Sequence, residues 1–251
     1  MMRMGLLAAL LVLLAVTPTV AQVVDLEGRY WFTNLDASTK VESGSIRGTR
    51  IDVGQDLRVD DANIPEVRLT FSTGLHSKLR LAYLQGSFDG DTTLAQSLQF
   101  SGTTFGANTR VDTDLDLYYG RIGWTWQFAP IPGIFKIGPL LELKGVVVDA
   151  TIRSSGNGLR ESATLPMAFP TVGAMLSVTP MSALDLFAEV SGMTFGDFGH
   201  VVDAEIGLRF IPIRFVTVSA GYRLFDLRVS NDDDFAKLTL TGPFVGASIR
   251  F

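Results

Sequence analysis

The sequence contains no cysteine, only two histidines, and charged residues at just 19% of its 251 positions. Without cysteine there is no disulfide framework, no thiolate chemistry and no lipid-modified cysteine anchor. Charge this sparse, beside 47% hydrophobic residues, is less than a water-soluble domain usually carries. Long apolar runs are missing too once the first residues are passed. That excludes a bundle of membrane helices, each of which needs about 20 consecutive apolar residues. A net charge of −5 argues against a nucleic-acid partner. Apolar composition without apolar runs is what a closed transmembrane sheet requires, because only alternate residues of its strands meet lipid.

The one continuous apolar run, Gly5 to Val16, follows Arg3 and precedes Thr19-Val20-Ala21. A basic start, a run shorter than the roughly 17–25 residues of a membrane span, and a small-x-small ending describe a cleaved secretory signal. Residues 1–21 are therefore expected to leave, with residues 22–251 forming a single barrel domain.

From Val23 onward apolar and polar residues alternate, with two kinds of interruption. Short ones rich in Pro, Gly and Ser fall at Thr73–Ser77, Ala129–Gly133, Thr179–Ser182 and Ile211–Arg214. Longer or more polar ones fall between them, at Leu35–Ala62, Asp89–Asn108, Arg153–Glu161, Phe195–Gly199 and Ser230–Asp234. Bacterial barrels alternate short periplasmic turns with longer external loops in this way. The spacing predicts an all-β, closed antiparallel transmembrane barrel of about ten strands (eight as the alternative), with both termini periplasmic. Strands are expected near 23–34, 63–72, 78–88, 109–128, 134–152, 162–178, 183–194, 200–210, 215–229 and 235–251. Several exceed the roughly 9–11 residues that cross a membrane, so a protruding collar is expected.

Side-chain polarity assigns the faces. Val202, Ala204, Ile206, Leu208 and Phe210 alternate with Asp203, Glu205, Gly207 and Arg209. Reversing that strand would put Arg209 in lipid at a cost of about 2–4 kcal/mol near the midplane. Val67, Leu69 and Phe71 likewise point out against Glu66 and Arg68, and Ile137, Leu141 and Leu143 against Lys136, Glu142 and Lys144. In the fourth strand the phase slips: Val111, Leu115 and Leu117 are odd, whereas Ile122, Trp124, Trp126 and Phe128 are even. A β-bulge near Leu117–Tyr118 is expected to reconcile them. Phe71, Trp126, Phe128, Phe135, Phe210, Phe215 and Phe251 sit beside short turns, the place of an interfacial aromatic girdle.

The chain ends Val245-Gly246-Ala247-Ser248-Ile249-Arg250-Phe251. Gly246, Ile249 and Phe251 resemble the C-terminal signal of outer-membrane β-barrel proteins, Gly, two residues, apolar, one residue, aromatic, although Phe244 stands where a polar residue is the rule. With the leader and the loop asymmetry, the whole chain resembles the small Gram-negative outer-membrane barrels of the OmpA/OmpX/OmpW type, without an appended domain. The resemblance implies residence in the cell outer membrane among lipid and lipopolysaccharide. It also implies recognition of the strand ending in Phe251 by the barrel-assembly machinery.

Some outer-membrane barrels are rim enzymes acting on peptide or lipid, generally with histidine. His76 falls in a predicted turn at the wrong end, and His200 lies at the external end with Asp197 and Asp203 near in sequence. Neither an Asp-x-His nor a His-x-Ser pattern is present, since Asp197 stands three before His200 and Val202 two after it; Ser191 could meet His200 across the hairpin, but no pattern indicates that it does. Asn231–Asp234 offers clustered oxygens without EF-hand spacing and reads as a solvated loop. Asp112, Asp114 and Asp116 either line the outer mouth or keep a protruding strand wet. No catalytic, cofactor-binding or metal-ligating residue is assigned, and no cofactor is expected.

Inward charges carry the functional reading. Glu27, Glu66, Glu142, Asp185, Glu189, Asp203 and Glu205 face Arg29, Arg68, Arg80, Arg121, Lys136, Lys144, Arg209, Arg223 and Arg250. A lumen of about ten strands is close to the size that side chains fill, and buried ions must pair. The expectation is a mostly occluded lumen held by salt bridges, in a non-enzymatic protein with a structural or surface-binding role. A narrow channel or small-solute transporter is the alternative, and a rim enzyme acting on lipid A or peptide the second. The longest loop, through Ile51, Val53 and Leu57, is expected to anchor in the barrel mouth.

Overall fold

The computed structural model describes residues 23–40, 51–74, 76–156, 158–231 and 234–251; the predicted leader, residues 1–21, lies outside them. Ten barrel strands run antiparallel. The first is β1 (Val24–Phe32), continued past Thr33 by β2 (Asn34–Lys40). The others are β4 (Asn63–Ser72), β5 (Ser77–Thr93), β8 (Arg110–Trp126), β10 (Phe135–Ser154), β11 (Arg160–Met181), β12 (Leu184–Thr194), β13 (Gly199–Ile213), β14 (Val216–Asn231) and β15 (Asp234–Arg250). Each pairs with its neighbour in the chain, and β15 pairs back onto β1 and β2, from Asp25↔Arg250 to Leu240↔Leu35. Closure leaves no open edge in the belt, which hydrocarbon would not tolerate. Short connections gather at one end, the turn end, and long ones at the other, the loop end.

Among the described residues there are four minor strands: β3 (Ile51–Asp52) on β2, β9 (Phe128–Ile131) on β10, and a hairpin of β6 (Leu98–Phe100) with β7 (Thr103–Phe105). After β3 a single helical turn, α1 (Val53–Asp56), is capped by Asp52, whose carboxylate accepts from Gln55 N at 2.9 Å. The loop then returns along β5 through a Val59↔Gly90 bridge. Approach is so close that a Cβ on Gly90 would lie 2.6 Å from the Leu57 carbonyl oxygen. Ile51, Val53 and Leu57 are buried, as the sequence led us to expect.

The predicted faces hold on the strands argued above: Ile206, Leu208 and Phe210 are exposed, and Asp203 and Glu205 are buried. The predicted bulge in β8 does not exist. Its register runs unbroken from Ser77↔Trp126 to Thr93↔Arg110 on one side and from Leu140↔Thr125 to Ser154↔Val111 on the other. Instead polarity inverts across an unslipped strand. Toward the turn end Arg121 points inward and Ile122, Trp124 and Trp126 outward. Toward the loop end Val111, Leu115, Leu117 and Tyr119 are buried inside, and Asp112, Asp114 and Asp116 lie on the outer wall. The half that leaves the membrane is surrounded by water, so there the ordinary rule of apolar residues inside applies.

This inversion marks the edge of the apolar belt. On β8 the belt spans eight residue steps, Trp126 to Tyr118, about 27 Å along a strand. Tilted by about 40°, as such strands are, it stands about 20 Å tall. Exposed aromatics line both rims: Trp126, Phe128, Phe210, Phe215 and Phe251 toward the turn end, and Tyr30, Phe32, Tyr83 and Tyr222 toward the loop end. Above the belt the outer wall carries ion pairs, Arg153–Asp114 at 2.7 Å, Lys237–Asp36 at 2.8 Å and Arg110–Asp91. The hydrogen bond from Arg110 holds the Asp91 carboxyl below its ordinary value.

Candidate functional site: a stratified lumen

Three layers follow one another through the lumen. At the turn end lies a polar vestibule of about 430 Å³, reached by Lys78, Arg80, Lys136, Arg209 and Arg250 among the cations and by Asp25, Glu27, Asp185 and Glu189 among the acids. Arg80 binds Glu189 through both terminal guanidinium nitrogens, and Arg209 binds Asp185 at 3.0 Å while stacking on Phe187, its guanidinium carbon 3.7 Å from the ring centre.

The middle layer is a plug. Arg29, Arg68, Arg121, Lys144 and Arg223 meet Glu27, Glu66, Glu142, Asp203 and Glu205, five charges of each sign. Arg68 donates to both oxygens of Glu205 at 2.8 and 2.7 Å, and Arg29 adds a contact at 3.1 Å. Arg223 donates to both oxygens of Asp203 at 3.0 Å, reaches Glu66 at 3.3 Å, and lies over Trp31, 4.8 Å from the ring centre. Asp203 Oδ2 accepts also from Lys144 and Tyr119, at 2.9 and 2.8 Å. Lys144 reaches Glu142 at 3.0 Å, and that carboxylate accepts from Ser191 at 2.6 Å. These groups come from β1, β4, β8, β10, β12, β13 and β14, so the network ties distant strands across the axis. The planar bidentate forks and the matched charge are what make so many buried ions tolerable.

Over the plug, toward the loop end, lies an apolar layer that includes Ile64, Phe88, Leu117, Val146, Phe169, Phe225 and Leu240, all buried. Beyond it a cup of about 340 Å³ is walled by Leu115, Val148, Ile152, Leu165, Met167 and Leu238. The loop residues Ile51, Val53 and Leu57 close one side and Phe100 of the β6–β7 hairpin another. That hairpin is tethered to the wall by a hydrogen bond from Thr103 to Glu161 at 2.7 Å.

No family model matches the sequence, and neither does any curated protein. Solved structures do match in shape. The outer membrane protease OmpT from Escherichia coli superposes with a TM-score of 0.64 over 94% of this chain and 99% of its own, at 9% identity. The fold is that of an outer-membrane β-barrel. The translocator domain of the autotransporter NalP from Neisseria meningitidis (TM-score 0.44, 13% identity, 100% of this chain and 95% of that one) also matches. So does Ail of Yersinia pestis (0.39, 12% identity, 92% and 100%). At those two scores neither adds architectural detail.

Placed on this barrel, the residues weighed for chemistry separate. His76 sits in a turn-end connection, its ring stacked near Trp126. His200 is at the loop end, but Ser191 does not meet it: Ser191 is buried in the plug, hydrogen-bonded to Glu142 and Lys144. His200 points to the outer wall and pairs instead with Asp226 at 2.7 Å, whose other oxygen accepts from Thr239 at 2.6 Å. Sequence reasoning missed Asp226, because that neighbour comes from strand register, two positions from the His200↔Arg228 pair. Asp203, weighed as a partner of His200, belongs to the plug. Of Asn231–Asp234, Asp232 and Asp233 lie outside the described residues. Phe244, the departure from the C-terminal pattern, faces inward under Arg29, whose guanidinium carbon is 4.5 Å from the ring centre.

Proposed function

We propose that the protein is a non-enzymatic, non-conducting barrel of the cell outer membrane whose structural or surface-binding role is exerted at its loop end. The turn end, with both termini, faces the periplasm; lipid and lipopolysaccharide surround the belt. The barrel-assembly machinery inserts the chain through the strand ending in Phe251. The observation that carries the reading is the plug: an ion seeking passage would have to break bidentate pairs inside a packed lumen and then cross the apolar layer. Rim catalysis has a weaker basis. OmpT is a protease, and His200–Asp226 is an imidazole–carboxylate pair near the loop end, but the Thr239 hydroxyl donates its hydrogen bond to Asp226 and no described nucleophile points at the imidazole.

Purified protein in planar bilayers is expected to give no steady conductance; reproducible single-channel steps would defeat the occluded reading in favour of the channel. Peptide or lipid A turnover that disappears in His200→Ala would establish the rim enzyme instead.

A further inference from the structure

The cup at the loop end is an apolar cavity in a part of the barrel that water surrounds. Leu165 points inward, paired with Val148, yet keeps 44% of its surface accessible. A cavity of about 340 Å³ falls within the roughly 300–1,000 Å³ of small-molecule sites. Among the described residues the one cation lining the cup, Lys237, turns outward to Asp36, so it brings no charge into the cup. In the wall Thr113 is buried, and its Oγ1 has no hydrogen-bond partner. Buried hydroxyls in folded proteins nearly always have one. That oxygen is covered in this rotamer; a turn about χ1 presents the hydroxyl to the cup, and an occupant able to satisfy it brings one polar atom and is otherwise hydrocarbon.

We infer that the cup binds an uncharged aliphatic amphiphile, its chain running down toward Leu115 and its hydroxyl or carbonyl at Thr113. Thr113 lies two residues nearer the loop end than Leu115 on β8, which places the polar end toward the mouth and the chain toward the floor. The floor is closed by the apolar layer and the plug, so the site retains its ligand and does not pass it on. This deepens the surface-binding reading proposed above and rests on it.

The test uses the full chain in lipid nanodiscs, with labelled isoleucine and methionine methyls, titrated with octanol and decanol. Saturable shifts are expected at Ile51, Ile152 and Met167. At equal free aqueous concentration decanol should bind about fifteenfold tighter than octanol, from roughly fourfold per methylene. Thr113→Val should weaken decanol several-fold and leave decane unchanged. Leu165→Glu, which alters an accessible wall residue, should abolish the saturable shifts while the barrel keeps its heat-modifiable mobility. Shifts confined to the lipid-facing Ile122, Ile206 and Ile249, or a Thr113→Val protein that binds decanol normally, would overturn the inference. Conductance separates the two readings: silent bilayers with no cup binding sink only this inference, whereas channel steps sink the occluded lumen whatever the cup does.

Discussion

Asp203→Asn is the sharpest probe of the plug. The substitution keeps shape and removes one negative charge from a carboxylate that holds Arg223 by two bonds and accepts from Lys144 and Tyr119. Arg121 lies 3.6 Å away as well. Removing one partner of a buried pair costs about 3–5 kcal/mol, because the surviving charge is left uncompensated. At about 1.4 kcal/mol per power of ten, that is roughly two to three and a half decades in the folding equilibrium. Urea titration of the protein refolded into phospholipid vesicles, followed by tryptophan fluorescence and gel mobility from both directions, measures it. The double variant Asp203→Asn/Lys144→Met restores the charge balance, and its loss should fall short of the summed single-variant losses by about 0.5–3 kcal/mol, the coupling found within one ion network. A single-variant loss under about 1 kcal/mol, or strict additivity in the double, would refute the idea that matched charge holds the lumen together.

Further consequences follow from the layering. Ile206→Arg, on the belt, should cost about 2–4 kcal/mol in vesicle refolding, whereas Thr151→Arg, on the outer wall beyond it, should stay within about 0.5 kcal/mol. Gly90→Val should push the loop off β5, so that limited proteolysis nicks residues 51–62 while the barrel stays closed on gels. Phe251→Ala should slow insertion by purified barrel-assembly machinery and change spontaneous refolding into vesicles little.

Much of this was legible in the sequence because the side-chain period of a strand is two and a charge cannot face lipid. Asp203 and Glu205 against Ile206 and Leu208 left one possible orientation, and the short and long breaks counted the strands. Ile51, Val53 and Leu57 stood out as apolar residues in a polar loop. The β8 inversion was not legible, because a phase change in polarity can come from a bulge or from a change of surroundings, and only register tells them apart. The cup was hidden for the same reason: Leu115 reads as lipid-facing until the strand is known to stand in water there. Pairings such as His200–Asp226 depend on register between strands, and so does the separation of Ser191 from His200 on opposite faces of one sheet.

The height of the greasy belt has its own corollary. Hydrocarbon thicker than the belt overhangs it on both sides, and each ångström of misfit costs a fraction of a kcal/mol, taken up mainly by thinning of the surrounding lipid. A barrel this short favours thin leaflets, and in a thicker bilayer it would dimple the surface around itself, sinking its collar toward the headgroups and drawing the mouth of the cup nearer to the acyl chains.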